Sequence, residues 1–170
     1  MKDFLQLDGM CYKLVPIKTT IDKSNPYEMG IIDSEKMLSI VNKWNWDVEN
    51  EKNIYLDVES RKNSITYRSN ISRLVNQLIF ENKLIEAEKI MDKCMEKFPT
   101  NKFGYYTLLE PFINSYYEIK KEEKARKLFD EIAEKYQEKL FYYSGLDNSN
   151  KNRYAEEIYT DIERYRSLVD

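Results

Sequence analysis

The side chains that most often perform catalysis are sparse in this sequence. The chain has no histidine, which excludes Ser-His-Asp and Cys-His nucleophile systems and histidine-ligated zinc. Its two cysteines, Cys11 and Cys94, do not form a CxxC pair. Most of the 30 acidic residues fall beside lysines at helical spacing, where solvated ion pairs are expected. We therefore predict a chain that is not itself an enzyme and that carries no metal or other cofactor.

Four side chains are better suited to binding than to catalysis. Asn76 and Asn114 lie at equivalent positions of two similar helices, and each amide can both donate and accept hydrogen bonds. Arg73 lies close to Asn76, and Tyr117 follows Asn114 by one helical turn. We predict that these four residues line one concave groove that binds a peptide backbone or a carboxylate. The alternative, and the commoner situation for such residues, is that both asparagines are solvated surface residues.

The aromatic pair in Trp44-Asn45-Trp46 has two interpretations. Exposed tryptophan rings stack on sugar faces, so this segment could form a platform for a glycan. More often such a pair anchors a loop to the hydrophobic core. The sequence favours the anchoring role and leaves a glycan as a possible partner.

The composition favours a soluble helical protein. Charged residues make up 34% of the chain, and only 4 glycines and 4 prolines interrupt it. The formal net charge of −3 disfavours nucleic acid as a partner, because counterion displacement requires a basic surface. No stretch approaches the roughly 20 apolar residues that span a bilayer, and no signal peptide is visible.

The N-terminal part of the chain, residues 1–60, shows little helical periodicity. Residues 12–17 and 54–58 have the composition of strands and could pair as a small β-hairpin. The pair Asp33-Ser34 offers an N-cap for one helix, which should end near Trp44. We predict an irregular N-terminal segment over residues 1–60 that contains one helix.

From Ser64 onward, apolar residues recur at helical spacing in five segments. Residues 81–83 should end the first of these helices and Pro99 the second, while Pro111 lies near the start of the third. A loop that includes residues 148–150 should precede the last helix, expected over 151–168. These boundaries predict a helical region over residues 61–143 and a C-terminal capping helix within 144–170.

The second and fourth helical segments repeat one pattern at a constant offset of 38 positions. Ala87 corresponds to Ala125, and we expect both to be buried, since a small side chain would let two helices of a hairpin approach closely. Four charged residues, Lys89, Asp92, Glu96 and Lys97, meet identical residues at this offset. The pattern resembles tetratricopeptide repeats, although their usual period is roughly 34 residues. Chance similarity between two amphipathic helices is the alternative to a true repeat.

The order of several short motifs resembles the C-terminal soluble tail of large bacterial multi-spanning membrane proteins, which are themselves similar to protein O-mannosyltransferases. The motifs that carry this resemblance occupy residues 5–9, 14–17, 55–57, 61–73, 93–99 and 116–117. The resemblance covers most of residues 4–145. It implies a tail on the periplasmic face of the inner membrane, joined to a membrane-embedded part, and it carries no catalytic residue onto this chain.

These observations predict an all-α fold with two degenerate tetratricopeptide-like helical hairpins over 61–143. The function expected from the resemblance is that of a non-catalytic interaction or accessory domain of a membrane glycosyltransferase-like protein, with a protein or peptide as partner. The alternative is a free-standing repeat adaptor, which would be cytoplasmic and would bind a peptide. An enzyme in its own right is a third possibility.

Overall fold

The structure is a computed structural model that describes residues 2–18, 29–46 and 55–169. Across these residues the chain is mostly helical, with a small two-stranded antiparallel sheet. The fold class predicted from composition and periodicity is therefore confirmed at this level. Internal contacts divide the chain into two compact units, Met1–Tyr105 and Tyr106–Asp170.

The first unit is built around one long helical hairpin. Its elements are β1 (Leu5–Asp8), β2 (Cys11–Leu14), α1 (Ser34–Asn42), α2 (Val58–Phe80), α3 (Leu84–Lys97) and α4 (Thr100–Phe103). Helix α2 packs along α3, and both α1 and α4 also contact α2. The β-hairpin packs against α1 through β1. Helix α2 is thus the central element of this unit.

The strand pairing differs from the prediction. Strand β2 falls partly within the predicted run 12–17, but its partner is β1, with Leu5 opposite Leu14. The sequence predicts residues 54–58 as the partner strand of this run. That prediction is wrong for residues 55–58, the part of this segment that the structure describes. The Asp57 carboxylate accepts the Ser60 N–H at 2.8 Å and caps α2, which begins at Val58. An N-cap within a strand-like run therefore directs this segment into a helix.

The second unit contains a second hairpin and the C-terminal helices. Its elements are α5 (Glu110–Glu118), α6 (Glu122–Ser144), α7 (Asn148–Arg153) and α8 (Ala155–Val169), preceded by a 3-10 turn at Tyr106–Leu108. Pro111 lies in the first turn of α5, as predicted. Asn148 begins a short helix that Asp147 caps, so the predicted loop there is wrong.

The two hairpins have the same turn. In each turn one residue adopts a positive φ, Asn82 at 58° and Lys120 at 61°, and these residues are 38 positions apart. Three backbone hydrogen bonds close each turn, with N–H donors at Glu81, Asn82 and Lys83 in the first and at Ile119, Lys120 and Lys121 in the second. The six bonds measure 2.8–3.1 Å, and their carbonyl acceptors follow the same offset.

Most of the apolar positions predicted for the hairpins are buried, whereas Leu84 and Leu108 are 38% and 39% exposed. Ala87 and Ala125 are both fully buried, which confirms the prediction made for them. Four further pairs related by the same offset are buried on or just before the first helices: Ile71 and Leu109, Leu74 and Phe112, Val75 and Ile113, Leu78 and Tyr116. The alignment found in the sequence is thus matched by an alignment of buried positions.

Candidate functional site

The first of the four predicted binding residues, Arg73, has structural partners. Its guanidinium donates to the Tyr12 hydroxyl at 2.8 Å and to the carbonyl oxygens of Met29 and Gly30 at 2.9 and 3.2 Å. These contacts tie α2 to the β-hairpin and to the segment before α1. The sequence did not suggest them, because all three partners lie far earlier in the chain.

The other three predicted residues are exposed on the first helix of each hairpin. Asn76 lies on α2, and Asn114 and Tyr117 lie on α5. Tyr117 is 44% exposed, whereas the adjacent Tyr116 is buried, as expected for neighbouring residues of a helix. The two asparagines belong to different compact units, so their position on one common groove stays a prediction.

A cluster of five aromatic rings, which we call the aromatic cluster, lies in the first unit. The Trp44 ring contacts Tyr67 edge-on at 5.2 Å between centroids, and Tyr67 stacks on Phe98 at 4.9 Å. Trp46 lies 5.4 Å from Trp44 and 6.0 Å from Phe98, and Phe103 completes the cluster at 5.2 Å from Phe98. These separations are those of favourable aromatic pairs. The cluster joins α2 to the ends of α1 and α3.

Trp46 and Trp44 have different roles in this cluster. Trp46 is 8% exposed, and its indole N–H donates to the Val41 carbonyl at 3.0 Å. It anchors the segment after α1 to the core, which is the commoner of the two roles considered from the sequence. The Trp44 ring is only half-buried. Part of its surface is therefore available to a ligand.

The turn of the β-hairpin positions Trp44. Gly9 has a φ of +69°, and a Cβ added there would come within 2.9 Å of Ile40 and 3.1 Å of the Trp44 ring. The Asn70 side-chain amide donates to the Gly9 carbonyl at 2.9 Å and fixes the turn against α2. Glycine is required here both for the positive φ and for the close approach to the ring.

Arg68 holds the Phe98 side of the aromatic cluster in place. It is fully buried on α2, and its guanidinium donates to the carbonyl oxygens of Phe98 at 2.6 Å and Gly104 at 2.7 Å. A longer contact reaches the Tyr105 carbonyl at 3.3 Å. These bonds satisfy backbone acceptors in the connection after α3 and hold Phe98 beside Tyr67.

A cavity of about 320 Å³ opens beside the aromatic cluster. Its volume is at the lower end of the range for small-ligand pockets, roughly 300–1,000 Å³. The described residues that line it are Trp44, Asn45, Trp46, Leu56, Ser60, Asn63, Ser64, Tyr67, Lys97, Phe98 and Phe103. We refer to it as the aromatic cavity.

The polar groups of the aromatic cavity come mainly from α2. The Ser60 hydroxyl donates to Asp57 at 3.0 Å, so its oxygen can still accept a hydrogen bond. The Ser64 hydroxyl donates to the Arg61 carbonyl at 2.7 Å, and Ser64 is 0% exposed, so it contributes to the wall by packing. The amides of Asn45 and Asn63 also line the cavity. Lys97 is the cationic group among the described lining residues, and its ammonium lies 3.5 Å from the carboxylate of Glu96, which is not part of the described lining.

The second unit contains an ion pair between a buried carboxylate and a partly exposed lysine. Asp161 of α8 is 3% exposed, and its carboxylate lies 2.6 Å from the Lys139 ammonium group of α6. The Tyr143 hydroxyl donates to the same carboxylate at 3.2 Å. The Asp161 carboxylate raises the pKa of Lys139 above its ordinary value, against the opposing effect of burial, and keeps the lysine charged. This network joins α8 to α6.

The described residues contain neither a group of metal-ligating side chains nor a membrane-spanning helix. Within residues 2–18, 29–46 and 55–169, no three His, Cys, Asp or Glu side chains are grouped as metal ligands would be. Across the same ranges, every helix is too short or too polar to span a bilayer. Comparisons of the chain with protein-family models, with curated proteins and with solved structures found no match.

Proposed function

We propose that this chain is a non-catalytic interaction module made of two tetratricopeptide-like hairpins that bind an extended peptide. The observation that carries the proposal is the shared turn, in which a positive φ and three hydrogen bonds recur at equivalent positions of both hairpins. A residue with positive φ is a common way for a helix to end, so the conformation alone is not specific. The support for a repeat is that it recurs at the offset of 38 positions that also aligns the two sequences. Helical-hairpin repeats commonly present extended binding surfaces.

The exposed asparagines suit the recognition of a peptide backbone. Asn76 and Asn114 occupy equivalent positions, and each amide can donate to a peptide carbonyl and accept from a peptide N–H. Tyr117 adds an exposed aromatic ring beside Asn114. Each hydrogen bond contributes only about 0.5–1.5 kcal/mol net, so we expect micromolar or weaker binding.

The buried reactive groups support a non-catalytic module. Burial raises the pKa of the Cys94 thiol to about 12, which keeps it protonated and a poor nucleophile at neutral pH. The buried Asp161 carboxylate forms an ion pair with Lys139. Neither group lines the aromatic cavity, and both are explained by packing.

The attachment of this module to a larger protein is the second part of the proposal. We infer a membrane glycosyltransferase-like parent, with the module on the periplasmic face of the inner membrane. The support for this part is the resemblance of most of residues 4–145 to the tails of such proteins. The gene sequence upstream of the codon for Met1 tests it directly, since this parent requires encoded membrane spans there.

Peptide binding is tested by selection from a random peptide library displayed on phage, followed by calorimetry with the selected synthetic peptides. We expect extended peptides with micromolar affinity. An Asn76→Ala, Asn114→Ala double variant should weaken them about tenfold, since two amide contacts are lost.

The matched control is a double variant at exposed asparagines outside the proposed contacts, Asn101→Ala with Asn152→Ala. It should bind the selected peptides like the parent chain. If no peptide is enriched, or if the Asn76, Asn114 variant keeps full affinity, the proposed peptide site is wrong.

A further inference from the structure

We infer that the aromatic cavity is a binding site for one sugar ring, distinct from the proposed peptide-binding residues. From the sequence alone, glycan binding is the less frequent of the two roles considered for the tryptophan pair. The structure adds Tyr67, Phe98 and Phe103 to these rings and shows a cavity beside them. The half-buried Trp44 and Tyr67 present aromatic surface to this space.

The polar lining favours a sugar over an apolar side chain. A pyranose has C–H groups that stack on an aromatic ring, and hydroxyl groups around its edge that both donate and accept. The cavity offers matching groups in the exposed amide of Asn63 and in the hydroxyl oxygen of the half-buried Ser60. An apolar occupant would remove these groups from water without replacing their hydrogen bonds, which is unfavourable.

Two lysine ammonium groups lie at or beside the described part of the cavity and disfavour a cationic ligand. Aromatic rings attract cations, and the Lys93 ammonium already lies 4.7 Å from the Trp46 ring centre. Lys97 places a second ammonium group at the cavity, where it forms an ion pair with the Glu96 carboxylate at 3.5 Å. The ligand should therefore be neutral or anionic, as neutral sugars and uronic acids are.

The volume limits the ligand to a small unit. About 320 Å³ is near the lower limit for small-ligand pockets. One ring of a glycan fits this limit, while the rest of a longer glycan would extend into solvent. A single ring with few contacts implies weak binding.

The tryptophans provide a direct test, because the only two in the sequence, Trp44 and Trp46, both line the cavity. The purified chain is titrated with methyl β-D-glucopyranoside, methyl β-D-galactopyranoside, N-acetyl-D-glucosamine and D-glucuronate while tryptophan fluorescence is recorded. Saturation-transfer NMR on the sugars is the second readout. p-Cresol and tetramethylammonium serve as an apolar and a cationic comparison. We expect a saturable response to at least one sugar and none to tetramethylammonium.

Variants show whether the response arises in the cavity. Trp44→Leu should weaken sugar binding at least about tenfold through the lost stacking surface, as measured by NMR. Asn63→Ala should weaken it about threefold through one lost hydrogen bond. Phe80→Ala is the control, because Phe80 is 86% exposed at the far end of the same helix. Circular dichroism checks that each variant is folded.

Several outcomes would overturn the inference. One is a panel of sugars without any saturable response. Another is a response to p-cresol alone, which would make the cavity a site for apolar groups. A third is sugar binding that persists in folded Trp44→Leu, which would locate the site elsewhere. None of these outcomes bears on Asn76 or Asn114, so the proposed peptide-binding function is tested separately.

Discussion

The two helical hairpins share a turn but differ in which helix is long. In the first hairpin α2 has 23 residues and α3 has 14, whereas in the second α5 has 9 and α6 has 23. The excess length of α2 precedes the segment that aligns between the hairpins, and that of α6 follows it. The aligned part is thus the central turn with its adjacent buried positions, and the differences occur at the outer ends.

The additional lengths of α2 and α6 have different structural roles. The added part of α2 contributes Ser60, Asn63 and Tyr67 to the aromatic cavity. The added part of α6 contributes Lys139 and Tyr143, which hold α8 through Asp161. One hairpin extension therefore builds a cavity, and the other secures a terminal helix. Four experiments, ordered by expected effect, test how far the hairpins are equivalent.

The largest loss of stability should follow substitution of Arg68, whose equivalent in the second hairpin is Tyr106. Arg68→Met should lower the free energy of unfolding by about 3 kcal/mol, because the carbonyls of Phe98 and Gly104 lose charged donors in a buried site. Urea unfolding followed by tryptophan fluorescence measures this change. Arg126→Met, at a 70% exposed side chain, is the control and should cost under about 0.5 kcal/mol. A loss of less than about 1 kcal/mol on substitution of Arg68 would contradict the proposed contribution of these hydrogen bonds to stability.

The equivalence of the helix crossings is tested at the buried alanines. Ala87→Leu and Ala125→Leu should each destabilise the chain by about 1–3 kcal/mol, since neither site has space for a larger side chain. Chemical denaturation of both variants gives the comparison. Ala155→Leu changes an exposed alanine and should have little effect. If either buried site accepts leucine without loss, the two crossings are not equivalent.

A smaller, pH-dependent difference should arise at Glu81, where the second hairpin has Ile119. Hydrogen bonds from Lys83, then Ser34 and Gln77, lower the pKa of Glu81 from 4.5 to about 2. A lowered pKa in the folded state stabilises the protein above pH 4.5, and this stabilisation disappears as the pH falls toward 2. Near neutral pH we expect Glu81→Gln to cost about 1 kcal/mol, after allowance for solvent screening.

Urea unfolding of this variant and of the parent chain over the acid range measures the effect at Glu81. The difference between them should shrink as the pH decreases. A difference that stays constant with pH would mean that the carboxylate charge does not contribute.

The smallest change in stability should come from glycine substitutions at the positive-φ residues of the two turns, and it should differ between them. Lys120→Gly should stabilise the chain by about 0.5 kcal/mol, because lysine is strained at a positive φ and glycine is not. Asn82→Gly should change stability less, since asparagine tolerates this conformation. Lys121→Gly, at a φ of −102°, should only destabilise. Thermal unfolding of the three variants shows whether the order holds.

The helices could be predicted from the sequence because their signals are local. Pro99 follows the last turn of α3, and Asp33 caps α1 through the Lys36 N–H at 3.1 Å. The burial of Tyr116 and Tyr143 beside exposed Tyr117 and Tyr142 follows from the helical period. The pair Tyr105-Tyr106 does not show this contrast, because it lies outside a regular α-helix and both rings are half-buried.

The candidate site could be predicted only in part. The sequence identifies the tryptophan pair as a possible aromatic surface. It does not predict that Tyr67 and Phe103 lie beside this pair, because both are distant from it in the chain. The sequence predicts Arg73 as a ligand-binding residue, whereas its donors are used by Tyr12 and the backbone before α1. A long side chain can reach many partners, and sequence spacing does not reveal which of them it meets.

The sequence by itself determined the helical class, the main helix ends, the buried alanines and the register that aligns the two hairpins. All of these depend on interactions within a few residues or on a period of about 3.6 residues, so the local sequence contains the information. The tertiary structure decided the strand partner of β2, the buried positions of Arg68 and Asp161, and the assembly of the aromatic cavity. Those features join residues that are far apart in the chain, and their positions depend on how the whole unit packs.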